Sequence, residues 1–303
     1  MNKVITFHDI RNSIWFEKTL NILKNRFSLV SIMDLEDLYY NGKTLKNSCH
    51  LTVDDGDKTF YNIIYPVLKK MKIPATLFVS PKICSDSSNF WFQELKGFDQ
   101  NKMRNIIAED YKIDIKMLQQ YPILVILKNM NINQIWTLIT KYRSIYNLPS
   151  KENQNMSIEE VRQVDIEGLV TIGAHTMNHP ILLNEKKETS RIEIADSIRE
   201  LEIILGHQVK YFAFPNGTPG LDFSDREIKI LKNSNCRLAF STEAKNFDST
   251  DNPLSIPRYG FSIGSKFFIR AKIILGKNWN TIKNLKSKDE IKLRIELKRK
   301  KKF

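Results

Sequence analysis

Short runs of β-branched and aromatic residues recur along the chain, and this recurrence most restricts what it can fold into. Segments with helical periodicity separate most of the runs, which favours alternating strands and helices around a mainly parallel sheet. The S/T-x-x-E spacing predicts helix starts at Ser157, Ser190 and Ser224. Gly206 follows an apolar helical pattern and predicts a helix end. The runs themselves are Val4–Phe7, Ser28–Ile32, His50–Val53, Ala75–Val79, Val170–Ala174, Tyr211–Phe214, Arg237–Phe240 and Ser255–Ile256.

The number of these units predicts an α/β fold built as a distorted or incomplete (β/α) barrel. A doubly wound sheet is disfavoured because no glycine-rich phosphate loop follows the first strand. We expect one domain over residues 1–262, with a mainly helical insert at about 97–150. Within that insert, the apolar run Ile123–Leu127 is compatible with either a helix or a strand, and its periodicity does not decide between them.

Composition and the cysteines restrict the class of protein. With 42% hydrophobic residues among 303, the chain can bury a sizeable core and is too apolar to be disordered. No apolar run reaches the roughly 18 residues of a membrane-spanning helix, and the first residues do not resemble a signal peptide. Cys49, Cys84 and Cys236 are odd in number and widely spaced, which indicates reduced core thiols. We therefore expect a cytoplasmic location.

Most of the positive charge lies at the end of the chain. From residue 261 to residue 303 there are 11 Lys and 3 Arg against 3 acidic residues, a balance of +11 out of a total of +13. We expect residues 263–303 to form a basic amphipathic extension that attaches the protein to the inner face of an anionic membrane. A solvated, Lys-rich terminal helix is the open alternative. No nucleic-acid motif occurs, so we expect no specific nucleic-acid partner. The apolar residues of the predicted interfacial helix are Phe267, Phe268, Ile269, Ile273, Ile274 and Leu275.

Polar residues of unusual kinds follow several of the predicted strands. In a (β/α) barrel the carboxyl ends of the strands share one face, and active sites are built there. We therefore expect residues that are far apart in sequence to converge on one cleft. They are His8-Asp9, Asp54-Asp55-Gly56, His175, Pro215-Asn216-Gly217 and Arg258.

Each of these motifs has an ordinary structural explanation when it is taken alone. Asp54-Asp55-Gly56 is typical of a turn, and His8 at a strand end is typical of a structural histidine. In combination, two histidines and one carboxylate provide three metal ligands and leave a coordination position for water, as in hydrolytic zinc sites. A second, adjacent carboxylate can then serve as a general base.

Four segments resemble motifs of the polysaccharide deacetylases of carbohydrate esterase family four. Thr52–Gly56 resembles the T-F-D-D-G motif, and His175–His179 matches the H-[ST]-x-x-H motif. Ile73–Val79 is similar to the strand that follows the first motif, and Phe212–Gly217 resembles the aromatic-Pro-x-Gly motif. The resemblance extends from about Val4 to Phe261.

This resemblance implies a metal-dependent enzyme that removes acetyl groups from N-acetylated amino sugars in a glycan or glycan precursor. Attachment to the inner face of a membrane would suit a lipid-linked glycan substrate. The resemblance also implies that Asp55, His175 and His179 hold a divalent metal ion, usually Zn²⁺, and that Asp54 is the base. A backbone N–H near Pro215–Gly217 would stabilise the oxyanion. Two alternatives stay open, an O-acetyl carbohydrate esterase and an inactive glycan-binding module.

The chain also departs from the commonest pattern of the family. No histidine follows His207 to supply the usual general acid, whereas Phe7–Ile10 resembles the early Y-H-D-[VI] segment of the poly-N-acetylglucosamine deacetylases. His8 is therefore our candidate acid. Ala213 replaces the arginine that often orients the aspartate, and we expect Arg258 to supply the missing charge, with a purely structural arginine as the alternative.

Two aromatic residues are candidates for contact with the substrate. Trp91 and Phe92 could form an apolar wall for a sugar ring, but we expect core packing for both, since large aromatic side chains bury most of their area in any fold.

Overall fold

One sheet of eight parallel strands forms the centre of the computed structural model, which describes residues 1–275 and 290–300. Its spatial order is β7-β6-β5-β4-β3-β1-β8, and β2 pairs with β3. The arrangement confirms the predicted distorted or incomplete (β/α) barrel. The strands are β1 (Lys3–Phe7), β2 (Ser28–Leu29), β3 (Ser48–Val53), β4 (Ala75–Val79), β5 (Val170–Ala174), β6 (Tyr211–Ala213), β7 (Leu238–Phe240) and β8 (Tyr259–Gly260).

The prediction of a last strand at Ser255–Ile256 was wrong, and the observed arrangement changes the position of Arg258. Ile256 makes only a single parallel bridge, to Phe240 of β7, and two residues of β8 then pair with β1. The segment therefore lies between the two ends of the sheet and narrows the opening of the barrel. Pro257 has no N–H to continue a ladder, which explains the interruption. As a result, Arg258 precedes a strand and does not follow one.

Helices surround the sheet and are joined to it by short loops. The serine caps predicted for two helices are confirmed, because Ser157 and Ser224 each accept the backbone N–H three or two residues later. The helices are α1 (Ser13–Lys24), α2 (Ile32–Tyr40), α3 (Tyr65–Met71), α4 (Pro81–Ser85), α5 (Trp91–Glu94), α6 (Gln100–Tyr111), α7 (Ile115–Leu118), α8 (Ile123–Leu127), α9 (Ile132–Tyr146), α10 (Ile158–Ile166), α11 (Lys187–Leu205), α12 (Asp225–Asn233), α13 (Lys266–Leu275) and α14 (Glu290–Arg299).

Two other boundary predictions need correction. The predicted strand Ser28–Ile32 ends at Leu29, because Ser31 and Asp34 form a capping box that starts α2 at Ile32. Ser190 does not cap a helix, since α11 begins at Lys187 and the Ser190 hydroxyl donates to the Leu182 carbonyl. Gly206 does end α11, with the φ of 76° that glycine adopts without strain.

The helices from α5 to α9 have a hydrophobic cluster of their own, separate from the cluster between sheet and flanking helices. The ambiguous run Ile123–Leu127 is a helix, and its side chains at 123, 125, 126 and 127 are buried in this cluster. Leu293 and Leu297 of α14 complete it. Helices α6 to α9 lie within 97–150, the stretch predicted as a mainly helical insert, and α5 precedes that stretch. The predicted boundaries of insert and domain stay predictions.

The C-terminal extension packs on the rest of the chain where it is described. Ile269 and Ile273 are buried in the main cluster, so the expectation that they face a membrane was wrong. Phe267 and Ile274 are exposed by 82% and 63%. Part of the predicted basic cluster lies at 276–289 and 301–303, outside the described residues. Among the described helices, none has the length and hydrophobicity needed to cross a bilayer.

All three cysteines are buried and unpaired, as predicted for core thiols. Cytoplasmic location and attachment to a membrane stay predictions.

Candidate active site

Five of the predicted polar residues line one open cavity of about 350 Å³ at the carboxyl ends of the strands, whereas Asp9, Pro215, Gly217 and Arg258 do not line it. His8 comes from the end of β1, Asp54 and Asp55 follow β3, and His175 follows β5. Phe92, Leu124 and Lys128 bring part of the wall from the helical insert. The full lining is His8, Asp54, Asp55, Trp91, Phe92, Leu124, Lys128, His175, His179, Phe214, Asn216 and Thr242.

A tight left-handed turn places the two adjacent aspartates. Asp55 and Gly56 have φ values of 75° and 69°, so the chain reverses direction directly after β3. A Cβ atom on Gly56 would lie 2.9 Å from the Cγ1 atom of Val79, which explains why glycine occupies this position. The turn leaves both carboxylates at the mouth of the barrel.

Three buried side chains are arranged as a potential metal site. The Oδ1 atom of Asp55 lies 3.5 Å from Nε2 of His175 and 3.5 Å from Nε2 of His179. Their candidate ligand atoms are all within 4.8 Å of one another. The Nδ1–H of His175 donates to the Ala213 carbonyl at 2.7 Å, an assignment that leaves its Nε2 lone pair facing Asp55.

The hydrogen-bonding of this cluster fits a cation. Oδ1 of Asp55 is buried and has no hydrogen-bond partner within the described residues. Such an atom is costly in a folded protein unless something compensates it. One carboxylate and two imidazoles with an open side match the donor set of a catalytic zinc site. The three residues therefore fit a divalent metal ion.

Burial and charge set the protonation of these groups. Burial lowers the pKa of His179 to about 3, against the opposing effect of Asp55, so the imidazole is neutral as metal binding requires. Burial alone would raise the pKa of Asp55, but the neighbouring imidazoles, His175 first among them, outweigh it and leave that pKa below its ordinary value.

Arg258 holds Asp54 in a bidentate ion pair inside the barrel. Nη1 and Nη2 donate to Oδ1 and Oδ2 of Asp54 at 2.8 and 2.9 Å. Nε donates to the Ser241 carbonyl at 3.0 Å, and Nη1 also donates to Thr52 Oγ1 at 3.1 Å. Burial opposes ionisation of Asp54, yet the guanidinium keeps its pKa below the ordinary value. The expected contact between Arg258 and Asp54 is thus present.

His8 lies over the open side of the same carboxylate. Its Nε2 atom is 3.9 Å from Oδ2 of Asp54, and its side chain is 49% exposed whereas that of Asp54 is 3% exposed. The imidazole therefore faces both the cavity and the solvent.

Two residues that support the H-x-x-x-H segment were missed or misread in the sequence. Glu193 of α11 accepts the backbone N–H groups of Met177 and Asn178 at 3.0 and 2.9 Å. Its only signal in the sequence was the spacing to Ser190, which suggested a helix cap. Trp91 is almost wholly buried, so core packing is the right interpretation, and its Nε1–H donates to the His179 carbonyl at 3.0 Å.

The segment also has an unusual backbone. Thr176 and His179 have φ values of 63° and 56°, which non-glycine residues rarely adopt, least of all β-branched ones. Phe92 is half-buried, and its ring centroid lies 4.9 Å from that of His179. Strain of this kind is found where a site over-determines the backbone.

The loop at 215–217 offers one backbone donor. Pro215 has no N–H, and the Gly217 N–H donates to the Pro215 carbonyl at 2.6 Å, so neither is available to a ligand. The expectation of an oxyanion donor in this loop is therefore restricted to Asn216, whose backbone N–H has no partner within the described residues. Nδ2 of Asn216 is likewise buried and unpartnered, and the residue lines the cavity.

The sequence profile of the family described as polysaccharide deacetylase matches residues 41–115 and 119–239. The chain belongs to this family. The matched residues include the two aspartates, both histidines of the H-x-x-x-H segment and the 215–217 loop. They leave out His8 and Arg258, which lie before and after them.

Curated relatives are similar to this chain in sequence over about three quarters of its length. A poly-β-1,6-N-acetyl-D-glucosamine N-deacetylase of Staphylococcus aureus is 24% identical over 225 residues, which are 74% of the chain and 58% of that protein. The matched region thus spans little more than half the length of that relative.

Solved structures share the fold. IcaB from Ammonifex degensii superposes with a TM-score of 0.61 at 19% identity, covering 91% of this chain and 97% of that one. The deacetylase PplD of Streptococcus pyogenes, in complex with acetate, superposes with a TM-score of 0.57 at 18% identity, covering 86% and 91%.

Proposed function

We propose that the protein is a metal-dependent hydrolase that removes acetyl groups from N-acetylated amino sugars of a glycan or glycan precursor. One observation carries the proposal. A buried carboxylate oxygen without a donor faces two imidazoles, and a second carboxylate, held by a buried arginine, lies beside it. The relatives named as N-deacetylases support the choice of an amide substrate.

Asp55, His175 and His179 would hold the metal ion, and their donor set favours Zn²⁺. A divalent ion in this position lowers the pKa of a water molecule and polarises the acetyl carbonyl group.

Asp54 is the general base in this proposal. It accepts a proton from the attacking water as the water oxygen bonds to the acetyl carbon. Arg258 acts as a positioning residue, because its two hydrogen bonds fix the carboxylate plane and keep the pKa of Asp54 low.

His8 is the general acid. It lies on the open side of Asp54 and donates a proton to the amide nitrogen as the C–N bond breaks, so that acetate and a free amine leave. The backbone N–H of Asn216 is the donor available to the developing oxyanion.

The test uses the full chain stripped of metal and then reloaded with one equivalent of Zn²⁺. We expect acetate release from N-acetylglucosamine oligomers only after reloading. Asp54→Asn is expected to bind zinc but to lose at least about a hundredfold in kcat, as expected when a general base is removed. Asp57→Asn is the matched control, since Asp57 is also buried in the same loop, at 8% exposure against 3% for Asp54, but accepts the Thr59 N–H at 2.8 Å.

Two results of the acetate-release assay would contradict the proposed N-deacetylase activity. If zinc binds and neither N-acetylated hexosamines nor O-acetylated sugars release acetate, the hydrolase proposal is refuted and the inactive glycan-binding alternative takes its place. Release from O-acetylated sugars alone would establish the esterase alternative.

A further inference from the structure

A second open cavity of about 250 Å³ lies on the helical insert beside the active-site cavity. Phe92 and Leu124 line both cavities, so the two are adjacent. Leu124 is 42% exposed, so this shared part of the two linings is open to solvent.

The second cavity, which we call the aliphatic cavity, has a largely apolar lining. Its aliphatic side chains are Leu95, Met103, Ile123 and Leu124, and its polar side chains are Lys96 and Gln100. Sugar subsites commonly combine convergent polar groups with an open aromatic face. Here Phe98 stacks one face on Tyr142, with centroids 4.1 Å apart, and Nζ of Lys151 lies 5.6 Å from the centroid of the same ring.

Phe92 stacks one face on Phe90 at 5.2 Å and makes edge contacts with the rings of Trp91 and His179 at 5.6 and 4.9 Å. With these contacts around the rings and four aliphatic side chains in the lining, the cavity suits methylene groups better than the hydroxyl groups of a pyranose.

Apart from Asp54 and Asp55, the carboxylate and ammonium groups that line the two cavities are lysines. Lys128 lines the active-site cavity and Lys96 lines the aliphatic one, and no acidic side chain of the described chain lines the latter. Lys128 pairs with Glu290 at 2.7 Å; the lysine side chain is 16% exposed and the carboxylate 48%, so solvent screens the pair from the side of Glu290. An anionic group between the two cavities would meet a cation.

We propose that the substrate is an amphiphile, an N-acetylated amino sugar joined through a phosphate to a hydrocarbon chain. The sugar occupies the metal cavity, the phosphate lies near Lys128, and the chain occupies the aliphatic cavity. The position of the sugar rests on the proposed deacetylase function, whereas the hydrocarbon site rests on the lining of the second cavity alone.

The test compares two probes that differ only in chain length, the methyl and the decyl phosphodiesters of N-acetylglucosamine. Calorimetry with metal-free full-length protein measures binding without turnover. Each buried methylene strengthens binding about fourfold, so the decyl probe should bind at least about tenfold more tightly. With the zinc-loaded protein, the same ratio should appear in KM for acetate release.

Two variants locate the site. Leu124→Gln should reduce the decyl-to-methyl ratio to below about threefold, because it places an amide where the two cavities meet. Ile166→Gln, at an 83% exposed position on α10, should leave the ratio unchanged. Lys128→Gln should weaken binding of both phosphodiesters relative to unphosphorylated N-acetylglucosamine.

The outcomes separate the two proposals. Equal binding of the two probes, or an unchanged ratio in Leu124→Gln, overturns the amphiphile proposal even if acetate is released. Selective binding of the decyl probe without acetate release from either probe refutes the hydrolase function and leaves the hydrocarbon site standing.

Discussion

The buried pair of Arg258 and Asp54 allows a quantitative test of how the barrel interior is held together. Arg258 is 0% exposed and Asp54 is 3% exposed. Replacing Arg258 by Met leaves a buried carboxylate without its counter-cation. Breaking a buried pair from one side typically costs about 3–5 kcal/mol of unfolding free energy.

That cost corresponds to a measurable shift in thermal unfolding. At about 2–4 °C per kcal/mol for a domain of this size, Arg258→Met should lower Tm by roughly 6–20 °C. Asp54→Asn should lower it by a similar amount, because it leaves the guanidinium buried and unpaired. The double variant removes both charges and should unfold at a higher temperature than either single variant, since replacing a whole buried pair is often nearly neutral.

The assay is circular dichroism melting in a chelator, so that metal binding contributes nothing to Tm. Arg191→Met is the matched control, because its partner Glu188 and Arg191 itself are 68% and 52% exposed, and exposed pairs contribute under about 1 kcal/mol. Single-variant shifts below about 2 °C, or shifts that simply add in the double variant, would refute the reasoning.

Three further predictions concern the surroundings of the site and the surface. Glu193→Gln should weaken zinc binding about tenfold or more in a competition titration, because this carboxylate orders the backbone between the two ligand histidines; unchanged affinity would contradict this. Arg294→Leu should lower the unfolding free energy by about 3–5 kcal/mol in a urea titration, because its partner Asp222, 2.7 Å away, is fully buried; a loss below about 1 kcal/mol, the value for an exposed pair, would contradict burial. The hydrogen bond to Asp165 raises the pKa of His207, so this pair contributes stability below the ordinary imidazole pKa of about 6.5, and that contribution is lost as pH rises through the raised pKa. Because His207 is half-exposed, the pair contributes little, so His207→Gln should only slightly reduce the fall of Tm between about pH 6 and 8. A steeper fall of Tm in the variant would contradict the raised pKa of His207.

The metal-site residues were identifiable in the sequence because each belongs to a short motif directly after a strand. Asp55 needs only the turn at Gly56, and the two histidines need only a four-residue separation after β5. Parallel strands bring such positions to one face whatever connects them. The family motifs, the strand pattern and the geometry of the barrel therefore all indicated the same metal-site residues.

Residues that act through distant contacts could not be identified in this way. Glu193 lies inside a helix, where its spacing to Ser190 resembled a cap, and only the packing of α11 brings it to the 177–178 backbone. The sequence offered Trp91 either a place in the core or a contact with a sugar ring. It could not show that the buried indole N–H donates to the His179 carbonyl. Such roles depend on which surfaces meet.

Sequence alone determined the alternating pattern, the family motifs and the charge of the extension, because these depend on residue type and short spacing. It also suggested a contact between Arg258 and Asp54, although it placed the arginine after a strand that does not form. Tertiary structure decided what covers each apolar face. Ile269 and Ile273 have the spacing of an interfacial helix and are instead buried against the barrel core. Periodicity defines a face of a helix, but burial of that face is a contact between residues far apart in the chain.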